Sequence, residues 1–387
     1  MKIVADENIP YVQEAFAELG RVECRPGREL SAEDLRDTEI LLVRSITAVN
    51  AQLLENTPVR FVGTATIGTD HIDRDYLKSR NIEFASAAGS NSNSVVEYVI
   101  TALLTLAQRQ EWRLESKTIG IIGVGNIGSR LAKKVQALGM IPLLNDPPLQ
   151  RQTGDPKYLP LDKVLRADFV TCHVPLTQSG PDATYHLLDE KILKRMSPAQ
   201  VLINTSRGPV VDNQALKRCV QAGRIGPVVL DVWENEPDID VELLERSAIG
   251  TPHIAGYSFD GKVNGTVMLY EAVCRFLGRP AAFDITGLLP EPLLPSMELI
   301  TSGQSDQDIL GKAMHSIYNI GRDDAELRDI TGRPTDQRGG YFDRLRKEYP
   351  VRREAMNTKI MLKPNDPEMA KKLSLLGFQI AEFSHWV

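Results

Sequence analysis

The stretch Thr118-Ile-Gly-Ile-Ile-Gly-Val-Gly-Asn-Ile-Gly-Ser129 decides the fold. Ile119, Ile121 and Ile122 predict a buried strand, and Asn126 onward predicts an amphipathic helix, with Leu131, Val135 and Leu138 at helical spacing. Between them Gly123, Gly125 and Gly128 fall in Gly-x-Gly-x-x-Gly order. The first glycine permits a tight turn, the second lets backbone approach a pyrophosphate, and the third lets the helix pack close to its strand. Free N–H groups at the helix N-terminus attract the anion. The spacing alone is weak evidence, but here a strand precedes it and a helix and second strand follow. That second strand, Ile141-Pro-Leu-Leu-Asn-Asp146, ends in an acid at the distance expected of a residue that bonds the adenosine ribose hydroxyls. Asp146 also repels a 2′-phosphate, and no arginine follows at once, so the cofactor reads as NAD and not NADP.

Downstream the same alternation continues. After Pro147-Pro148 and a polar loop, Leu161–Leu165 predicts a helix and Asp168–Val174 a strand. Helix Glu190–Met196, strand Val201–Thr205, helix Asn213–Ala222 and strands Val228–Val232 and Ile249–Thr251 follow. Such βα alternation implies a doubly wound parallel sheet, so the fold class is α/β. Upstream, Ile3–Ala5, Ile40–Val43, Arg60–Gly63 and Ile82–Ala85 predict a second βα unit without the glycine fingerprint. Two of its strands end in the polar loops Arg44–Thr47 and Thr64–Asp70, where open parallel sheets bind ligands. Ser92-Asn-Ser94 caps a helix, Val95–Arg109, that joins the two units, and residues 258–277 predict another helix. The proline-rich Leu288–Pro295 reads as a linker to an arginine-rich segment, in which Met356–Ile380 predicts strand, helix, strand.

With 387 residues, two or three domains are expected. A hydrophobic content of 42% and a charged content of 25% suit a soluble globular protein. The formal net charge of −6 argues against nucleic acid as the main partner. Met1-Lys-Ile-Val-Ala-Asp-Glu7 turns acidic before any apolar signal core forms, and the most apolar helical run, Val95–Ala107, contains Glu97 and is too short for a bilayer. A cytoplasmic protein with no membrane partner is expected. Cys24, Cys172, Cys219 and Cys274 form no Cys-x-x-Cys pair, which favours reduced thiols over a metal site or a disulfide framework.

An NAD enzyme that oxidises an alcohol needs a base for the hydroxyl proton, a cation to orient the substrate and a partner to tune the base. Of six histidines, His385 is terminal, His315 lies beyond the linker, and His186 falls in a surface segment. His71 and His173 end a loop and a strand. His253 stands apart: it follows Thr251-Pro252 at a strand end and precedes Ile254-Ala-Gly256. Arg207, after strand Val201–Thr205, suits a carboxylate because its fork makes two parallel charge-assisted bonds. Glu236, one strand end before His253, is placed to hold an imidazolium.

At these residues the sequence resembles the NAD-dependent D-2-hydroxyacid dehydrogenases, from Lys2 to about Leu277. The marks are Gly123–Gly128, His173-Val-Pro-Leu176, Ile203–Gly208, Leu230–Pro237 and Thr251–Ile254. The resemblance implies an NAD-binding Rossmann domain, residues 94–256, inserted in a split flavodoxin-like substrate domain of residues 1–93 and 257–285. It implies Arg207, Glu236 and His253 as the catalytic set. It further implies cofactor contacts from Gly123, Gly125, Asn126, Ile127, Gly128, Asp146, Val174, Thr205, Asp231 and Gly256, with Asp231 and the Val174 backbone at the nicotinamide.

A narrower resemblance rests on Val62–His71, Val95-Val-Glu-Tyr98 and Pro252–Ser258. It points to the branch of that family that oxidises 4-phosphoerythronate in vitamin B6 (pyridoxal phosphate) biosynthesis. That branch carries a C-terminal dimerisation domain, which implies a homodimer built through residues 286–387. Substrate contacts are expected from Arg207, Ser45, Thr66 and Tyr257, with Arg44 beside Ser45; no motif identifies the residues that bind the phosphate. The alternatives are another D-2-hydroxyacid dehydrogenase, such as one for 3-phosphoglycerate, and an NAD-sensing regulator on the same fold. In the latter, Arg344-Leu-Arg-Lys347 or Arg352-Arg353 would contact a partner, although clustered arginines are usually solvated.

Overall fold

The computed structural model describes residues 1–381 and divides into two compact units, one of Met1–Asn91 with Ser258–Glu291 and one of Ser92–Tyr257 with the segment from Pro292 onward. His385 lies outside the described residues.

In the first unit five parallel strands, β1 (Lys2–Asp6), β2 (Arg21–Arg25), β3 (Ile40–Val43), β4 (Phe61–Thr64) and β5 (Glu83–Ser86), take the order β2-β1-β3-β4-β5, the flavodoxin-like arrangement. β3 and β4 are buried along their whole length, as strands covered on both faces must be. β2 was not expected: Arg-Val-Glu-Cys-Arg has too few apolar residues to signal a strand, and it forms at the sheet edge, where one side needs no partner. The helix Phe259–Leu277 returns the chain to this unit, capped by the Ser258 hydroxyl at its start and by Gly278 in the left-handed region (φ 65°) at its end. It packs by edge-to-face contact of Tyr270 on Phe16, with ring centroids 5.7 Å apart.

The second unit holds a six-stranded parallel sheet of β6 (Thr118–Ile122), β7 (Ile141–Asn145), β8 (Phe169–Cys172), β9 (Val201–Asn204), β10 (Val228–Leu230) and β11 (Ile249–Gly250). Its order, β11-β10-β9-β8-β6-β7, reverses direction at β6 and β8, and ligands of open α/β sheets bind outside the strand ends at such a switch point. The polar loop expected after Asp146 is instead a helix, Pro147–Thr153. The two prolines occupy its first turn, where their missing N–H groups cost nothing, and Asp146 caps it. The helix Ser92–Gln110 is buried from Ser94 to Ala107. No helix among the described residues is long and apolar enough to cross a membrane. All four cysteines are free thiols, Cys24 half-buried and the others buried.

The C-terminal segment builds its own parallel sheet, β12 (Ser296–Ile300), β13 (Lys359–Lys363) and β14 (Gln379–Ile380). Three helices, Asp306–Ile317, Ile320–Arg328 and Thr335–Lys347, separate β12 from β13, and Pro367–Leu376 separates β13 from β14. The segment does not stand apart from the Rossmann sheet. Ile309, Leu310, Met314 and Tyr318 share one core with Val95–Ala107 and with Ile119 and Ile121. Arg352 is buried in that seam, donating to the Glu97 carboxylate (3.4 Å), to the Ser94 hydroxyl and to the Ala255 carbonyl (3.4 Å), with its guanidinium 4.3 Å from the Tyr318 ring centre. Burial and the neighbouring Glu354 push the Glu97 carboxyl up to about 8, against the pull of Arg352.

Candidate active site

The glycine loop tests whether a dinucleotide fits. Gly123 sits at φ +89°, and a side chain there would meet the His173 carbonyl oxygen at 2.6 Å. At Gly128 a Cβ would lie 2.0 Å from the Gly123 carbonyl oxygen, so only glycine allows the helix this close to its turn. Gly125 differs: a Cβ there would meet nothing within 4 Å. The open space lies over the backbone that starts the helix Asn126–Lys134, whose first N–H groups no side chain caps. Asn126 and Ile127 form that first turn, so the residues present fit a pyrophosphate. Asp146 braces the loop, its Oδ2 accepting from the Val124 N–H (2.8 Å) and its Oδ1 from the Leu149 N–H (3.0 Å). Each oxygen keeps a second lone pair for a ribose hydroxyl. Across the switch point, Val174 contacts the Gly123 turn, and the Thr205 hydroxyl lies 3.4 Å from His173 Nδ1. Burial pushes the His173 ring down to about 3, which favours its neutral form.

Three loops at the carboxyl ends of β9, β10 and β11 assemble the expected catalytic set. Asn204 ends β9 and folds its loop: its Oδ1 accepts from the Ser206 N–H (3.1 Å) and hydroxyl (2.8 Å), and its Nδ2 donates to the Arg207 carbonyl (3.0 Å). Arg207 stands half-buried at the sheet edge, its Nη1 donating to the Ser206 carbonyl at 2.8 Å. Gly208 then passes so close to the next loop that a Cβ would lie 1.9 Å from the Trp233 carbonyl oxygen. The Trp233 N–H donates to Glu236 Oε1 (2.8 Å), and Glu236 Oε2 lies 2.7 Å from His253 Nδ1. A carboxylate only accepts, so Nδ1 carries the proton and Nε2 is the nitrogen left for chemistry. Burial works to raise the Glu236 carboxyl, yet the His253 ring, the Trp233 N–H and Arg346 outweigh it and hold Glu236 below its ordinary value.

His253 adopts a left-handed backbone (φ 57°), a conformation that persists in a bulky residue only where its surroundings hold it. Asp231 holds it. The Asp231 carbonyl accepts from the His253 N–H (2.7 Å), and its carboxylate accepts from the Ile254 N–H (2.8 Å), the Ala255 N–H (3.0 Å) and the Thr251 hydroxyl (2.6 Å). Asp231, expected at the nicotinamide, is fully buried and in this structure organises the histidine loop. Gly256 and Tyr257 close that loop, with the Tyr257 ring edge-on to Tyr349 at 5.9 Å. Glu234 anchors the middle loop from behind, accepting from the Asn213 N–H (3.0 Å) and lying 2.7 Å from His186 Nε2. His186, expected at the surface, is half-buried, its ring 2.7 Å from the Glu234 carboxylate and 4.0 Å from that of Asp212, three groups close enough to share a cation.

The remaining expected contacts belong to the first unit. Ser45 is exposed on the loop after β3, one of the two strands flanking that sheet's own switch point. Thr66 follows β4, its hydroxyl 2.7 Å from that of Thr64 and donating to the Gly68 carbonyl (3.1 Å). His71 lies 3.0 Å from the Thr64 hydroxyl.

A family model described as D-isomer specific 2-hydroxyacid dehydrogenase, NAD binding domain, matches residues 99–255, and another described as Domain of unknown function (DUF3410) matches residues 288–377. Over 379 residues the chain is 46% identical to a protein of Proteus mirabilis named Erythronate-4-phosphate dehydrogenase, covering 98% of this chain and 99% of that one. This chain belongs to the erythronate-4-phosphate dehydrogenase family. The relative of the same name from Salmonella paratyphi B is 47% identical over 379 residues, 98% of each chain. Among solved structures, D-lactate dehydrogenase from Aquifex aeolicus complexed with NAD and lactic acid is 26% identical, with a TM-score of 0.59 over 72% of this chain and 96% of that one.

Sequence reasoning missed several residues of this family's site as it stands here. Asn204 and Trp233 lie inside the quoted motifs, but their work is done through loop hydrogen bonds that no spacing displays; Trp233 Nε1, for instance, donates to the Thr251 carbonyl (3.0 Å) and ties two strand ends together. Arg346 and Arg352 were placed in basic clusters expected to be solvated. Arg352 is buried, and Arg346 retains only 22% side-chain exposure, on the helix Thr335–Lys347. Charge density along the chain does not reveal which side of a helix faces a core.

Proposed function

We propose that this chain oxidises 4-phospho-D-erythronate to 2-oxo-3-hydroxy-4-phosphobutanoate with NAD, a step toward pyridoxal 5′-phosphate. The observation that carries the reading is the His253–Glu236 pair at 2.7 Å, joined through the Trp233 backbone to the loop of Arg207, on the sheet whose switch point holds the glycine cradle. Arg207 holds the substrate carboxylate and the oxygen on carbon 2. His253 Nε2 takes the proton of that hydroxyl, becoming an imidazolium that the Glu236 carboxylate stabilises. NAD, when bound, supplies the acceptor for the hydride that leaves carbon 2. In the reverse direction the imidazolium returns its proton to the ketone oxygen. Gly123, Gly125, Asn126, Ile127 and Gly128 cradle the pyrophosphate, Asp146 takes the ribose hydroxyls, Asp231 and the Val174 backbone fix the nicotinamide, and Thr205 and Gly256 add further cofactor contacts. Ser45, Thr66 and Tyr257 contact the substrate.

The same reading makes the protein a cytoplasmic homodimer. Support for the dimer comes from the C-terminal segment: seven of the eleven exposed large hydrophobics among the described residues lie between Leu288 and Leu375, including Leu293, Ile300 and Met361. Light scattering on the full chain reads the dimer directly; a monomer removes it.

A panel of 2-hydroxy acids, phosphorylated and not, followed by NADH absorbance, tests the activity. Turnover is expected with 4-phosphoerythronate above 3-phosphoglycerate and D-lactate. Binding of NAD with no turnover on any acid would favour a regulator instead.

A further inference from the structure

We infer that Arg346, on the C-terminal helix Thr335–Lys347, is the cation that binds the phosphate monoester of the substrate. This rests on the phosphorylated hydroxy acid reading above. A substrate with a carboxylate at one end and a phosphate at the other needs two cationic sites, and the catalytic loops supply one, Arg207. The helix Thr335–Lys347 supplies the second. A Cβ on its Gly339 would lie 2.7 Å from Asp238 Oδ1 and 3.3 Å from Pro237, so the helix packs directly on the residues that follow Glu236. Arg346 is seven residues farther along, two turns on the same helix face. Its guanidinium sits 5.8 Å from the centre of the Tyr257 ring, four residues beyond His253.

The surroundings of Arg346 are those of an anion site. The Asp343 carboxylate is 4.0 Å away, Tyr257 hydrogen-bonds the guanidinium, and the buried Nε has no hydrogen-bond partner among the described residues. Buried polar groups are normally satisfied, so an orphaned guanidinium nitrogen beside a reaction site marks a place for a ligand acceptor. Arg344, by contrast, lies 5.0 Å from the centre of the Tyr341 ring. Burial works to lower the affinity of Arg346 for its proton, but Tyr257, Glu236 and Asp343 raise it above the ordinary value, so the charge is permanent. A guanidinium offers a phosphate two parallel N–H donors, and Tyr257, hydrogen-bonded to Arg346, brings a hydroxyl beside them. The C-terminal segment thereby acquires a role in substrate selection.

The test compares kcat/KM for 4-phosphoerythronate and for erythronate in the full-length protein and in R346Q and R346K, with calorimetric binding of 4-phosphoerythronate alongside. The unmodified protein should prefer the phosphorylated acid strongly. R346Q should cut that preference on the order of 10²-fold, since a site built for a charged group discriminates sharply against its loss. R346K, which keeps the charge but not the fork, should fall between. Inorganic phosphate should inhibit erythronate oxidation by the unmodified protein and do so more weakly in R346Q. Retention of the full preference by R346Q, or an equal fall on both substrates, overturns the role of Arg346 and leaves the substrate reading standing. Equal use of both acids by the unmodified protein overturns the substrate reading itself, and this inference with it. If R346Q does not fold, an unchanged preference in R346K together with unchanged phosphate inhibition overturns the inference.

Discussion

The glycine loop after β6 and the histidine loop after β11 lie on one sheet, yet they reach fixed positions by opposite means. The glycine loop is defined by missing atoms: a Cβ at Gly128 would strike the Gly123 carbonyl, while one at Gly125 would stand in open space. The histidine loop is defined by filled valences. Asp231 accepts three hydrogen bonds through its carboxylate, and the Trp233 indole and Glu236 carboxylate lock what Asp231 leaves. The first arrangement leaves room for a ligand to supply the contacts. The second sets the His253–Glu236 pair in place in the absence of ligand, as the proposed proton transfer requires.

The contrast predicts different failures. His253→Ala should lower turnover by on the order of 10²–10⁴ while NAD binding changes little, because the two loops serve separate tasks. Steady-state rates and NAD titration by fluorescence check this, and near-normal turnover would remove His253 from the mechanism. Within the glycine loop, Gly128→Ala should destabilise the fold by about 1–3 kcal/mol, since its Cβ meets backbone that cannot swing away. Gly125→Ala should leave the melting temperature unchanged but weaken NAD, on the order of tenfold, by filling the space the pyrophosphate needs. If both variants melted alike and bound NAD alike, the two glycines would not have the separate roles their surroundings imply. Asp146→Ala should have a smaller consequence, a narrowing of the preference for NAD over NADP, read from the ratio of their kcat/KM values; an unchanged ratio would assign that preference elsewhere.

The two loops also differ in how legible they are. Gly123, Gly125 and Gly128 are local, so their spacing states their purpose, and the parallel α/β sheets followed from apolar runs alternating with helical periodicity. Arg207, Glu236 and His253 became legible only as residues at three successive strand ends. Their supporting contacts could not be read, because Asn204 folds its own loop through hydrogen bonds that spacing does not display, and Asp231 and Trp233 bond to residues at the next strand end. The C-terminal segment was least legible. Its helices carry many charges, and the buried sides of Arg346 and Arg352 depend on packing against Tyr257, Tyr318 and Glu97, which lie far away in sequence. The helix Pro147–Thr153 was missed for a different reason: a Pro-Pro pair reads as a break until the Asp before it is recognised as a cap.

The finest distinction concerns the His253–Glu236 pair, to which the proposed mechanism assigns the proton. Glu236 is held below its ordinary 4.5 despite burial, chiefly by the His253 ring. A carboxyl whose folded value is depressed contributes stability that is fully present above the unfolded value and is lost as pH falls through the folded one. Glu236→Gln removes the charge but keeps an oxygen to accept from the Trp233 N–H. The variant should therefore be less stable than the unmodified protein at neutral pH, by about 2 kcal/mol, the scale of a hydrogen bond to a charged group. The gap should close as pH drops below 4.5 and the native carboxylate takes up its proton. Gln also presents an N–H to His253 Nδ1, which favours the tautomer with the proton on Nε2, the wrong nitrogen for accepting one from substrate. Turnover in the oxidation direction should accordingly fall by roughly 10 to 100-fold, the usual range for a residue that orients another. Denaturant melts at several pH values, set beside rates, separate the two effects. A stability gap that persists unchanged at acid pH would mean that packing, and not the ion pair, fixes the histidine loop.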